Sequence, residues 1–214
     1  MQDRLTPSPL LKTMLRSAAK LSLFVGISVL LLLGVRHLTE PPIKEAQKQT
    51  MLATFNQVLP PSLYDNDPLK DQLTIRNQHD LQLLGSSEPV IVYRARFQGH
   101  ASGVIFTCIA PNGYSGKIKL LMGVLPDGRI SGVRVLQHAE TPGLGDKIEL
   151  SKHTWILSFN GRSLRDDNLP RWAVKKDGGD FDQFTGATIT PRAVVQAVKQ
   201  GLMFVNQSGE KLYE

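Results

Sequence analysis

The sequence predicts an α+β fold: an antiparallel sheet with packed helices, behind one N-terminal transmembrane helix. Three observations carry this. An uncharged, strongly apolar run, Leu21 to Val35, lies near the start. Short apolar runs separated by turn residues fill the middle of the chain. A helix-start signal followed by helical periodicity closes it.

The apolar run spans about 22 Å as a helix, short of the roughly 30 Å hydrocarbon core of a bilayer. Adding Ser17 to Ala19, with Lys20 reaching back to the interface, brings it to the needed length. A cleaved signal peptide is the competing reading, but Gly34-Val35-Arg36 is a poor cleavage site. The expected organisation is a cytoplasmic N-terminus at 1–16, an anchor at 17–38, a helical and loop connection at 39–88, a folded domain at 89–206 and a tail at 207–214. Arg4, Lys12, Arg16 and Lys20 precede the span and only Arg36 follows it directly. This bias places the N-terminus inside and the folded domain outside.

Thr39-Glu40-Pro41-Pro42 is expected to break the helix, because proline lacks an N–H donor and restricts its predecessor. Ile43, Gln47, Met51, Phe55 and Val58 then mark an amphipathic helix ending at Leu59-Pro60-Pro61. Residues 62–88 read as a helix-containing loop region. Strands follow at Val90 to Tyr93, Gly103 to Ile109, Ile118 to Val124 and Ile130 to Leu136. Pro126-Asp127-Gly128 joins the last two as a hairpin turn, so the middle is an antiparallel meander. Asp146 opens an amphipathic stretch through Ile156, and Trp172 to Lys176 reads as a short strand. The last helix is expected from Pro191, with Thr190 as its cap; Ala193, Val194, Ala197, Val198 and Leu202 give its apolar face.

A net charge of +6 does not point to nucleic acid, since the basic residues are dispersed and aromatic residues few. The single cysteine, Cys108, allows no internal disulfide and sits in an apolar strand. Metal binding finds little support: there is no paired cysteine and no His-x-x-x-His. Asp177, Asp180 and Asp182 form too short a run for a calcium loop. A nucleophile elbow and a dinucleotide fingerprint are both missing from the sequence, so no catalytic residue is assigned.

Three glycine-containing loops carry polar residues where a backbone can approach a ligand: His138 to Gly145, Val174 to Asp180, and Thr185 to Pro191. In the last, the Thr188 hydroxyl stands among small residues at a helix start, where free amides and the macrodipole favour an anion. His138 reads as a residue that caps or packs, and Tyr114 as a loop aromatic.

These loops, in this order behind one anchor, resemble the G subunit of the Rnf ion-translocating electron-transport complex. They are also similar to the C subunit of the sodium-translocating NADH:quinone oxidoreductase. The resemblance is densest from Gly113 to Val198, through GYSG, HAETPGLGDKIEL and WAVKKDGGDFDQFTGATITPRAVV. It implies an FMN-binding domain outside the inner membrane of a bacterial cell, with FMN joined through its phosphate to the last Thr of the motif Thr185-Gly186-Ala187-Thr188. Thr190 is the nearby ambiguity; Thr188 is the expected acceptor. The resemblance further implies that Glu140, Thr141, Leu144, Val174 and Lys175 surround the flavin.

It implies as partners the other subunits of the complex, integral-membrane and iron–sulfur or flavin proteins, and a flavin transferase during maturation. The role implied is that of an electron-carrying subunit of a redox-driven ion translocase rather than a self-standing catalyst. Two alternatives stand beside it: a lone membrane-tethered FMN domain of an extracellular reductase or respiratory regulator, and a cofactor-free scaffold.

Overall fold

The computed structural model describes residues 9–214. Of the expected cytoplasmic N-terminus, residues 1–8, with Arg4, lie outside the described residues, as does the side chain of Lys12. The chain divides into two compact units, one running to Leu52 and one from Ala53 to Glu214.

The first helix, α1 (Pro9–Val58), is 50 residues long. That is about 75 Å of helix, more than twice the ~30 Å hydrocarbon core of a bilayer. An 18-residue window within it has a mean hydropathy of 2.2 and no buried residue, so it is long and apolar enough to cross a membrane. The expected break at Pro41-Pro42 does not occur: both prolines lie inside the helix. Each removes a donor to the carbonyl four residues back, at His37 and Leu38. That stretch is exposed apart from the half-buried Glu40, so solvent can take those carbonyls. Local bonds carry the turn across. Thr39 donates its hydroxyl to Val35 O at 2.8 Å, and Glu40 meets Arg36 at 3.7 Å and Lys44 at 2.6 Å, one turn to either side.

The second unit is built on a five-stranded antiparallel meander in sequence order. Its strands are β1 (Gln72–Ile75), β2 (Val90–Phe97), β3 (His100–Gly113), β4 (Gly116–Val124) and β5 (Ile130–Gln137). All four expected strands are present, and Pro126 to Gly128 turns between β4 and β5, with Gly128 at φ 79°. The compact unit begins well before the expected boundary at residue 89, because β1 pairs with β2 from Gln72↔Tyr93 to Ile75↔Val90. Between them the short helix α2 (Gln78–Leu83) is capped by the Asn77 side chain, which accepts from His79 N at 3.1 Å. The expected tail is packed too: Leu212 is buried and the Tyr213 hydroxyl donates to Leu125 O at 3.0 Å.

Register assigns the two faces. Val104↔Val124, Phe106↔Met122, Cys108↔Leu120 and Ala110↔Ile118 share one face. Helix α3 (Ile189–Ser208) packs there through Val194, Val198 and Leu202, with Phe106 and Phe204 rings 5.5 Å apart. Cys108 is buried as expected, and burial pushes its thiol up to about 12. The opposite face has a glycine-lined notch that receives the end of α1. A Cβ on Gly123 would fall 2.7 Å from Val58 O, and one on Gly132 would fall 2.8 Å from Val58 Cα. Phe55, Val58 and Leu59 are buried there, and Phe55 packs on Tyr93 at 4.7 Å between ring centroids.

Between β5 and α3 the chain makes only short 3-10 turns. An aromatic cluster replaces a ladder in holding it: Trp155–Phe159 at 5.4 Å, Phe159–Phe181 at 4.7 Å, Trp172–Phe181 at 5.2 Å and Trp155–Phe184 at 5.2 Å. The expected strand at Trp172 to Lys176 is instead one isolated bridge, Val174 to Phe181, followed by a turn at Lys175–Asp177. The chain doubles back on itself there; Gly178 has φ 85°, and Gly179 lies so near Ala173 O that a Cβ would sit 2.0 Å away.

The glycine notch generates a test. Gly123→Ala should force backbone apart and destabilise the second unit by about 1–3 kcal/mol, read as a lower urea midpoint with unchanged slope.

Candidate functional site: a cleft at the head of the last helix

Phe184 to Ala187 form a tight turn closed by Ala187 N donating to Phe184 O at 3.0 Å. Its third residue, Gly186, has φ 80°, a conformation that turns of this kind reserve for glycine. A Cβ there would meet only Leu144 Cδ2, at 3.8 Å, so backbone angle rather than space selects the glycine.

The turn delivers Thr188 to the head of α3. The helix starts at Ile189, two residues earlier than expected, and Thr188 rather than Thr190 holds the cap position. With φ −73° and ψ −28°, Thr188 is already helical, and its side chain makes no capping bond. A capping hydroxyl normally needs extended backbone to reach the second or third amide. The Thr188 hydroxyl is thus half-buried and without a partner among the described residues. Thr190 lies inside the first turn, fully buried, and donates its hydroxyl to Glu140 Oε2. Pro191 is third in the helix and contributes no amide, leaving the amides of Ile189 and Thr190 without an intrahelical acceptor.

Thr188 opens on a cleft of about 290 Å³. One wall is Tyr114, at the two-residue turn between β3 and β4, where Gly113 pairs with Gly116. A second is the Glu140, Thr141, Leu144 and Gly145 loop; the third is Gly186 to Thr190. Tyr114, Leu144 and Ile189 are exposed and apolar at the rim. Glu140 is 4% exposed and joins the walls: Oε1 accepts from Ser115 N at 2.9 Å while Oε2 accepts from Thr190. Gly113 and Gly145 back the carboxylate so closely that a Cβ on either would lie 2.8 Å from its oxygens.

His138 orients the loop. Its Nδ1 accepts from Glu140 N at 3.0 Å, so the ring proton belongs on Nε2, which lies 2.7 Å from Glu149 Oε1. That hydrogen bond holds the Glu149 carboxyl below its ordinary value, against a small opposing effect of burial.

Of the expected site residues, Glu140, Thr141, Leu144, Gly186, Ala187 and Thr188 line this one cleft. Thr185 stands in the turn behind it and is exposed. Val174 and Lys175 do not line it. Val174 is fully buried in the aromatic-rich core, and Lys175 pairs with Asp182 at 2.6 Å on the surface. The other aspartates of that segment also have cations: Asp177 takes Arg192 at 2.6 and 2.9 Å, and Asp180 bridges Arg162 and Arg171, each at 3.1 Å. A second cleft, of about 320 Å³, lies at this arginine network and none of Thr185 to Thr188 lines it. Tyr114, Gly145 and Ile189 are cleft residues that sequence reasoning missed. The legible signal for Tyr114 was an aromatic side chain between two turn glycines, too short a pattern to show what it faces.

The sheet, the Thr-Gly-Ala-Thr turn and the cleft before the last helix define a class, and residues 113–203 match the FMN-binding domain family. Residues 1–58 match the RnfG N-terminal region. The chain is 49% identical over 201 residues to the G subunit of the ion-translocating oxidoreductase complex of Pseudomonas aeruginosa, covering 94% of this chain and 92% of that protein. It is 44% identical over 203 residues to the protein of the same name from Vibrio atlanticus, covering 95% of each. The Vibrio cholerae protein is 45% identical over 193 residues, 90% of each chain. The chain belongs to the family of G subunits of the ion-translocating oxidoreductase complex.

A pH test follows from the His138–Glu149 bond. Because the folded-state value of Glu149 is depressed, its contribution is present above the unfolded value of about 4.3 and is lost as pH falls through the folded value. The thermal midpoint should therefore drop more steeply below about pH 4.3 in the unaltered chain than in Glu149→Gln. Equal slopes would mean the bond does not form in solution.

Proposed function

We propose that this chain is the membrane-anchored flavoprotein subunit of a redox-driven ion-translocating electron-transport complex, relaying electrons through FMN esterified to Thr188. The single observation that carries the assignment of the acceptor is the contrast between two hydroxyls. Thr188 is accessible, unpartnered among the described residues and in the cleft, whereas Thr190 is buried and committed to Glu140.

The residues present suit the group. The Thr188 Oγ–H would be the nucleophile toward the FMN-side phosphorus of a flavin dinucleotide: under a flavin transferase the Oγ–P ester would form as the pyrophosphate P–O bond breaks, the nucleoside monophosphate leaving and the hydroxyl proton passing to a base of the transferase. The remaining phosphate charge would lie beside the amides of Ile189 and Thr190, at the positive end of α3. Tyr114, Leu144 and Ile189 offer apolar cover, and Thr141 and nearby amides offer hydrogen bonds to a polar ring edge. The bound flavin supplies reversible electron uptake; the protein holds it, orients it and tunes its charge. The cleft is at the lower end of the ~300–1,000 Å³ usual for ligand sites. An edge of the ring left at the surface suits exchange of electrons with other redox centres.

The helix α1 anchors the chain, and the lysine and arginine bias before its apolar run puts the N-terminus in the cytoplasm and the FMN domain in the periplasm, at the inner membrane. Its partners are then the integral-membrane and iron–sulfur or flavin subunits of the complex. The chain is a carrier within that assembly rather than a catalyst by itself.

The test is the intact mass of the chain, purified under denaturing conditions from its own membranes, with peptide mapping across Phe181 to Arg192. An added FMN phosphoryl group on Thr188 is expected, with none on Thr190. Thr188→Ala should lose all attached flavin while shifting stability by no more than about 0.5 kcal/mol. A flavinylated alanine variant would sink the assignment.

A further inference from the structure

We propose that Glu140 sets the reduction potential of the bound flavin, holding it down through a buried charge that no cation neutralises. The inference rests on the reading of the cleft as a flavin site.

Both carboxylate oxygens are held by neutral groups: Oε1 accepts from the Ser115 amide and Oε2 from the Thr190 hydroxyl. Charge compensation is missing as well. Among the described residues Glu140 makes no ion pair. His138 meets the backbone amide of Glu140 rather than its carboxylate. Lys175, expected from the resemblance beside the flavin, is paired with Asp182 and does not line the cleft. Gly113 and Gly145 press against the carboxylate from two sides, leaving no space there for a further side chain.

A negative charge in the wall of a cleft, itself 4% exposed, is screened less than a surface charge and is felt by a ligand bound there. Reduction moves an electron from a reduced redox centre of the complex, or from dithionite in the test, onto the flavin ring. The added negative charge is opposed by Glu140, so the oxidised ring is favoured and the potential is low. The two neutral hydrogen-bond donors that hold the carboxylate position it without cancelling it.

The experiment compares full-length holoproteins in detergent: unaltered, Glu140→Gln and Thr190→Val. Midpoint potentials are read from the visible spectrum during mediated dithionite titration, and attached flavin from the denatured mass. Thr190→Val removes the same hydrogen bond as a purely structural lesion would but keeps the charge. A rise in potential for Glu140→Gln with little change for Thr190→Val is expected. No rise in Glu140→Gln, or an equal rise in both, overturns the proposal. Should Glu140→Gln fail to take up flavin, the redox-induced infrared difference spectrum of the unaltered holoprotein decides. A carboxylate band perturbed on reduction supports the charge coupling, and its absence overturns it. An unmodified Thr188 in the unaltered chain would defeat the flavin reading itself, whereas a flavinylated Thr188 with an unmoved potential would defeat this inference alone.

Discussion

The close approach of α3 to strands β3 and β4 is the constraint on which the candidate site depends. Gly201 favours it: a Cβ there would fall 2.8 Å from Met122 Sδ, so a larger residue would require the Met122 side chain to shift. Val194, Val198 and Leu202 then bury completely against Phe106, Cys108 and Met122. Each such side chain contributes about 1.5–3 kcal/mol on burial, and together they fix where the first turn emerges. That turn places Thr190 on Glu140 and leaves Thr188 facing the cleft.

The segment before α3 shows how a site can be held without regular structure. Residues between β5 and α3 pair with few backbone neighbours, yet Trp155, Phe159, Trp172, Phe181 and Phe184 are all buried in mutual contact. Aromatic side chains bury large areas each, so a short run of turns can be as firmly placed as a strand. The backbone stays free to take the positive φ angles at Gly178 and Gly186 that the loops require. Functional loops on such a rigid base combine precise placement with an open approach.

Charge is distributed unevenly around this base. On the 174–182 loop every aspartate has a cation at its side: Asp177 with Arg192, Asp180 with Arg162 and Arg171, Asp182 with Lys175. These pairs are mostly exposed and add little stability each, but they occupy Arg162, Arg171, Lys175 and Arg192. Glu140, buried a short way off in the cleft wall, has hydrogen bonds and no counter-charge among the described residues. The cleft therefore joins the Glu140 carboxyl group to the positive end of α3, and neither Lys175 nor Lys176 lines it.

What the sequence by itself determined is everything governed by local pattern. Short apolar runs bounded by turn residues marked β2 to β5, apolar continuity marked the anchor, and Pro126-Asp127-Gly128 marked a turn whose glycine takes a positive φ. The order of loops identified the family, and with it six of the nine expected site residues that line one cleft. Tertiary structure alone decided the rest. It recruited the four-residue strand β1, whose Leu73 and Ile75 give too short an alternation to read. It gave Thr190 to Glu140 and the cap position to Thr188, a choice made by a contact across 50 residues of chain. Helix and strand periods and turn angles are short-range properties of the backbone; which buried donor meets which buried acceptor depends on how the helix lies on the sheet, and no local window contains that.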